Sequence, residues 1–335
     1  TQESGTPGSL DHLTRAYAIG FQGSHRSGAI DWRYGGQFTA DKLVRSTDLT
    51  EGDFSSRNYA KISLVPSIDL KQSGNKTMSA RLGLSLDTSN RDSSAISPVA
   101  AFTIVQVTSF GHLFYAAEYA SASQLPGYTA LNSRPTGLFG GNADLGREKA
   151  RQLSFSMRSE SIDWSTAATL FFRKDDDLVD WTYHTGAPFS RQANAVDLDV
   201  WGLELFVNRQ WSSLGIIAAY TYLDKESDYG SALVDASFYA LNFARHRATL
   251  AILWQLGNQL ELRLDNEYRR QQDNPLRTSE NTAVLSSITL AWEVANIPGL
   301  GFALTADNLS DSDYQFFPGT PAVGRQVSVS AAYHW

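Results

Sequence analysis

In the stretch QLELRLDNEYRR, residues 259–270, the side chains Leu260, Leu262, Leu264 and Tyr268 fall on alternate positions, and Glu261, Arg263, Asp265, Glu267 and Arg269 fall between them. A period of two is the signature of a β-strand with one apolar and one polar face. Five charges on one side cannot pack in a core, so that face must meet water. The same alternation returns in ARLGLSLD, where Leu82, Leu84 and Leu86 oppose Arg81, Gly83, Ser85 and Asp87, and in HRATLAILWQL, where Ala248, Leu250, Ile252 and Trp254 oppose Arg247, Thr249 and Gln255. It also runs through the last residues, with Val327, Val329, Ala331, Tyr333 and Trp335 alternating to the end. A strand that alternates to its final residue is expected to be paired there, and pairing with the first strand would close the sheet.

This pattern must be squared with bland hydropathy. The 335 residues average −0.27 in mean hydropathy and hold no apolar run long enough for a membrane helix. Yet 12% are aromatic, with eight Trp, fourteen Tyr and seventeen Phe. A membrane β-barrel reconciles the two, because half of each strand faces a polar lumen and dilutes the average. The excess of acids, net −7, argues against a nucleic-acid partner, and the absence of cysteine excludes disulfides and thiolate metal sites.

Connections alternate in length. Short ones fall at 23–28, 71–77, 108–111, 159–162, 209–212, 256–258 and 295–299. Long polar ones fall at roughly 42–56, 88–96, 122–147, 176–193, 224–242, 271–280 and 310–323. Short turns at one rim and long loops at the other are the layout of an outer-membrane barrel, with the short turns periplasmic. Trp32, Trp164, Trp211, Trp254, Trp292, Tyr333 and Trp335 all map to the short-turn rim, where an aromatic girdle belongs. The predicted fold is therefore an all-β, antiparallel, up-and-down transmembrane barrel over residues 14–335, placed in the outer membrane of a Gram-negative bacterium. The start at TQESGTPGSL fits a mature, processed chain, and residues 1–13 form an N-terminal segment. The patterning gives fifteen strands. Because single-chain bacterial barrels use even numbers, fourteen or sixteen is expected, with an extra strand within 1–13 or a strand supplied by another chain as ways to restore parity.

From about residue 112 onward the chain resembles the barrel region of TonB-dependent receptors. FYAAEYASASQLPGY resembles a strand leading into an external loop. Asn142, Leu145 and Glu148 in GNADLGREKARQLSFSMR, Gly202 and Glu204 in VDLDVWGLELFVN, and ARHRATLAILW follow in the family's order. The closing segment LTADNLSDSDYQFFPGTPAVGRQVSVSAAYHW carries Asp307, Asn308, Leu309, Asp313, Tyr314, Pro318, Gly319 and Gly324 of the family pattern. The resemblance implies uptake of siderophores, cobalamin or similar small nutrients. It also implies a 22-stranded wall around a plug domain and a box that contacts TonB, and neither plug nor box is visible in these residues. The final strand resembles the signal read by the outer-membrane assembly machinery, with Trp for the more usual Phe. Three functions follow: a plugless passive pore of porin type, which the missing plug favours; the barrel of an energised transporter whose plug lies outside this chain; or a structural barrel whose lumen a partner chain fills.

On the lumen face the alternation places Arg33, Arg81, Glu118, Arg158, Glu204, Arg247, Glu261, Arg263, Asp265, Glu267 and Glu293. Such charges orient polar solutes and set ion preference, or else pair across neighbouring strands and merely solubilise the wall. Gly202 and Glu204 also read as a structural feature of that wall. In the long loops, Tyr128, Phe139, Trp181, Tyr183, Tyr229 and Phe238 are candidate ligand contacts, while Tyr314, Phe316 and Phe317 read as loop core or outer girdle. Asp175, Asp176 and Asp177 lack a calcium-loop pattern and read as a solvated loop. The six histidines show no metal-ligand spacing and there is no Gly-x-Ser-x-Gly elbow, so no enzyme activity, metal or cofactor is expected. Outer-membrane lipid and small solutes are the expected partners.

Overall fold

The computed structural model describes residues 11–47, 49, 54–134, 139–186, 191–274, 276–318, 320 and 323–335. The strands are β1 (Leu13–Ser27), β2 (Ile30–Arg45), β3 (Ser56–Ser73), β4 (Lys76–Ser89), β5 (Ala95–Thr108), β6 (Gly111–Gln124), β7 (Phe139–Gly140), β8 (Glu148–Glu160) and β9 (Trp164–Tyr183). They continue with β10 (Arg191–Gln210), β11 (Leu214–Asp228), β12 (Ala236–Ser237), β13 (Ala244–Gln255), β14 (Leu260–Gln271), β15 (Thr282–Glu293), β16 (Leu300–Asp307) and β17 (Gln326–Tyr333). One short helix, α1 (Tyr128–Asn132), lies in the loop between β6 and β8. β7 and β12 have two residues each, which leaves fifteen long strands of the seventeen.

Each long strand pairs antiparallel with the next long strand in the chain. This is the up-and-down sheet that the alternation predicts, and its fifteen long strands match the count from the patterning and not the even number expected from parity. The closing contact is not formed. Among the described residues β1 pairs only with β2, and β17 only with β16. The reason is parity: with fifteen strands reversing direction at every step, β1 and β17 run the same way and cannot make an antiparallel ladder. Both have almost every residue exposed. Residues 1–10, where an extra strand was considered, lie outside the described residues.

Register fixes the two faces. Residues directly opposite one another share a face, and the pairings carry one apolar face across the whole sheet. It runs from Tyr17, Ile19 and Phe21 through Leu64, Leu84, Phe102, Phe155, Leu170, Leu203, Tyr220, Leu250, Leu262, Leu290 and Leu304 to Val329. Ile19, Phe21 and Leu82 are 72%, 65% and 65% exposed. Large apolar side chains exposed in rows, strand after strand, need lipid. On β9 the apolar row begins at Trp164 and ends at Phe172, opposite Trp201. Nine residues at ~3.3 Å each, tilted by about 40°, cover roughly 23 Å, close to the ~25 Å apolar band of such barrels. Just beyond that row the same face turns charged, with Lys174 paired to Asp199 at 3.3 Å and Arg245 to Asp224 at 3.1 Å.

Buried side chains gather above this band, among the long loops. One cluster joins Ala130, Leu131, Leu145 and Ala193, with Phe54, Val179, Trp181 and Ala195 against it. The other joins Val196, Leu198, Val200 and Ala240, with Phe171, Leu178, Leu223 and Tyr229. The segment 176–193, expected as a loop, is mostly strand: β9 runs to Tyr183 and β10 starts at Arg191. The run Asp175–Asp177 obscured this because it breaks the alternation. A bulge at Asp177, φ 56°, shifts the β9–β10 register there.

Candidate functional site

All eleven charged residues expected on the lumen side fall on one face of the sheet, the face opposite the lipid row. Arg33 faces Val65, Arg81 faces Ala101 and Ala101 faces Glu118, while Arg158 faces Phe114 and Glu204 faces Thr169 and Thr221. Arg247 lies in the same row, opposite Thr221 and Arg269, and Glu261, Arg263, Asp265 and Glu267 all point to that face from β14. Glu293 pairs with Gly301. A recess of about 620 Å³ brings Arg26, Asp31, Arg33, Arg81 and Glu118 together near the short-turn rim.

Much of this wall neutralises itself. Arg247 donates to both carboxylate oxygens of Glu267, at 3.1 and 3.0 Å, and Arg263 does the same to Asp265 at 2.6 and 3.1 Å. Arg81 reaches Glu118 at 3.4 Å, Arg158 reaches Glu160 at 3.1 Å, and Arg33 reaches Asp31 at 3.5 Å. Of these eleven, Glu204, Glu261 and Glu293 have no cationic partner within 4.0 Å among the described residues. Gly202 beside Glu204 has a packing reason: a Cβ there would sit 2.4 Å from Phe171 Cζ and 2.9 Å from Leu223 Cδ2. The Phe171 ring lies over the glycine.

The expected girdle residues Trp32, Trp164, Trp254, Trp292 and Tyr333 share the lipid face at the short-turn end; Trp211 lies in the turn after β10, and Trp335 follows β17. Trp292 stacks on Phe302, centroids 6.0 Å apart.

The loop aromatics divide. Tyr128 is 8% exposed, its hydroxyl bonded to the Asp41 carboxylate and its ring 4.7 Å beneath the Arg57 guanidinium. Burial, then Asp41, raises its phenol well above the ordinary range. Tyr229 is likewise held protonated by burial and by the charge of Asp180. Both serve the loop core. Phe139 and Trp181 meet edge to face at 5.4 Å, while Phe238 stacks on Phe317 at 4.4 Å beside Arg191, which also lies over Tyr183 at 4.7 Å. Tyr314 is 3% exposed and fills its loop as expected, whereas Phe316 is exposed; Gly319 lies outside the described residues.

Several charged residues that the alternation did not mark are buried at this end. Asp175, expected in a solvated loop, is 1% exposed in β9 and accepts from Arg173 Nε and Nη2 at 2.9 and 2.7 Å. Arg147 and Asp87, 3% and 1% exposed, form a buried ion pair, and Arg147 Nη2 donates to the Ser93 carbonyl at 2.9 Å. Asp180, 1% exposed, accepts from Tyr229 Oη, Tyr239 N and Ala240 N at 2.9, 3.0 and 2.8 Å. The charge of the DDDLVDW segment was visible, but its burial comes from loops remote in sequence.

Among sequence families, the model of the TonB dependent receptor-like, beta-barrel family matches residues 3–309. The chain belongs to that family. The match reaches further toward the N-terminus than the resemblance read from residue 112, and it stops before the Pro318–Gly324 part of the closing motif. Solved structures share the fold. The siderophore receptor PirA from Pseudomonas aeruginosa aligns at TM-score 0.67 and 16% identity, covering 96% of this chain and 55% of that one. The FrpB iron transporter from Neisseria meningitidis (F3-3 variant) gives 0.68 at 14%, covering 97% and 55%. The copper transporter OprC gives 0.68 at 15%, covering 96% and 56%. The chain thus spans about half the length of these structures. No curated protein sequence matches it.

Proposed function

We propose that this chain supplies fifteen strands of the wall of an outer-membrane transporter for small nutrient solutes, energised in the manner of its family and closed by strands and a plug outside residues 1–335. The carrying observation is the seam: among the described residues β1 and β17 have no ladder partner on their outer edges, and they run in the same direction. A free edge of this kind is a row of unmet backbone donors and acceptors, which lipid cannot satisfy. A passive pore built from this chain alone would have to close the seam with a parallel pair. Fold relatives named as siderophore, iron and copper transporters support nutrient uptake.

The test is single-channel recording of the folded chain in a planar bilayer. The seam reading expects no long-lived unitary conductance. A steady ohmic current would overturn it in favour of the passive pore, and ion selectivity would then map the charged wall.

A further inference from the structure

The connection between β11 and β13 does not stand clear of the sheet. It leaves β11, yet its short strand β12 pairs with Thr182 and Tyr183 of β9, two strands away. Thr182 already pairs with Gln192 of β10 on one edge, so β12 must occupy the other edge, which β8 leaves free beyond its pair Lys149–Asp176. Residues 229–243 therefore cross β10 and β9 on the way out and again on the way back. Side-chain parity identifies the face. Val196, Leu198 and Val200 continue the row of Gly202 and Glu204, and Ala240 packs on them together with Phe171, Leu223 and Tyr229. That is the lumen face. The loop carrying α1 takes the opposite face of the same hairpin, where Ala130 and Leu131 meet Ala193, Val179, Trp181 and Ala195. It adds β7 to the free edge of β10.

Both legs of the crossing are fastened to one side chain. Asp180 takes the Tyr229 hydroxyl from the outgoing leg and the Tyr239 and Ala240 amides from the returning leg. Asp235 N and Phe238 N add main-chain bonds to the Tyr183 and Trp181 carbonyls, at 2.8 and 3.0 Å. Lys225, on the lumen face of β11, tucks against the Tyr239 and Phe243 rings at 4.3 and 4.8 Å and donates to the Tyr239 carbonyl at 3.3 Å.

We propose that residues 229–243 form an inward strap that sets the size of solute admitted at the long-loop mouth, and that Asp180 is the residue that positions it. A carboxylate buried to this degree survives only while its donors stay in place, so strap position and Asp180 solvation are one equilibrium. Lifting the strap uncovers Val196, Leu198 and Val200 and takes residues 229–243 out of the mouth. The proposal rests on the transport reading for its purpose but not for its test.

The chain has no cysteine, so one introduced thiol reports alone. Val200→Cys lies in the buried cluster that Ala240 of the strap joins; Thr103→Cys, on the lumen face of β5, is the remote control. Labelling of the folded chain in detergent with maleimides of increasing polyethylene glycol length is compared in three backgrounds. Val200→Cys should react slowly with Asp180 present, and more slowly with longer reagents. It should react at least tenfold faster in Asp180→Ala, with the size dependence lost, and by an intermediate factor in Tyr229→Phe. A Thr182→Cys/Ser237→Cys disulfide, spanning a directly opposed β9–β12 pair, should restore slow labelling in both. Equal rates with and without Asp180, or fast labelling through the locked strap, would overturn the proposal. If Thr103→Cys rises in step in Asp180→Ala, that variant is loosening the sheet, and Tyr229→Phe with and without the lock decides. A strap that passes while solute uptake fails refutes the transport reading alone.

Discussion

The pair Arg147–Asp87 makes a demanding quantitative prediction, because both side chains are almost wholly buried and Lys61, opposite Asp87 on β3, forms no ion pair with it among the described residues. Asp87 lies in the lumen row of β4, two residues before its end, and is 1% exposed; Arg147 arrives from the loop carrying α1 and is 3% exposed. Arg147→Met keeps much of the side chain's length and removes its charge. It leaves Asp87 with the Ser123 hydroxyl, at 2.9 Å, as its one remaining side-chain donor. Breaking one partner from a buried ion pair costs about 3–5 kcal/mol, most of it the stranded charge. The loss of the bond to the Ser93 carbonyl falls within that range. The cost should appear as local opening of the loop that Arg147 anchors, and not as collapse of the sheet. At about 1.4 kcal/mol per factor of ten, exchange protection of the Asn142 and Gly141 amides, bonded to Ala130 O and Ser133 O, should fall roughly 140- to 3,700-fold. Strand amides such as those of β14 should keep theirs. Adding Asp87→Leu to Arg147→Met should recover more than half of the loss, since the stranded charge is then gone. Hydrogen–deuterium exchange read by mass spectrometry measures all three chains. A fall of less than tenfold in the single variant, or strictly additive effects in the double, would refute the reasoning.

Three further outcomes follow from contacts of the same kind. Gly202→Ala forces the Phe171 ring off its seat and should cost about 1–3 kcal/mol; pairing it with Phe171→Leu should return most of that in a denaturation midpoint, and independent losses would refute the packing reading. Asp235 has its carboxyl held below the ordinary range by the Thr185 hydroxyl and amide and by His184, so the clasp between residues 184–185 and Asp235 should hold above the usual Asp range and loosen only as pH falls through that lowered value; a carbon-detected titration placing Asp235 at or above 3.8 would refute it. Tyr229, raised by burial and then by Asp180, should stay neutral as pH passes about 10, where an unfolded tyrosine ionises. The strap's stability is then full below that pH and is lost as pH rises through the higher folded value, a change that ultraviolet absorbance can follow against Tyr229→Phe.

The wall was legible because a strand's chemistry is local. Leu260 to Tyr268 against Glu261 to Arg269 states both faces of β14 without reference to any neighbour, and the sorting of Trp32, Trp254 and Trp292 to one rim needs only strand direction. The roof was not legible, because its burial comes from elsewhere. Asp175 looks like part of a solvated acidic run, yet it is 1% exposed within a β9 that continues to Tyr183. Asp180 is one more acid in DDDLVDW until a loop some fifty residues later folds across the lumen face to meet it. The bulge at Asp177 hid the continuation of β9 and β10 by breaking the one pattern that would have revealed it. Side chains such as Tyr128 and Tyr229, read as possible ligand contacts from their place in long loops, prove to hold those loops together.

Parity carries the argument about closure further than composition does. Fifteen strands that reverse at each turn leave two like-directed edges, and antiparallel closure between like-directed edges takes an odd number of additional strands, never an even one. Each added strand must also continue the sorting at both borders: apolar beside Tyr17, Ile19 and Phe21 on one side and beside Val327, Val329 and Tyr333 on the other. A single polar edge peptide would meet the hydrogen bonds but leave lipid against charge, which a bilayer penalises by about 2–4 kcal/mol per Arg or Lys at its midplane. Cysteines placed at Ile19 and Val329 therefore should not cross-link to each other in a bilayer. The outward-pointing backbone amides of β1 and β17 should instead gain exchange protection when polypeptide with an odd number of alternating strands is co-folded, and protection by an even number would break the parity argument at its root.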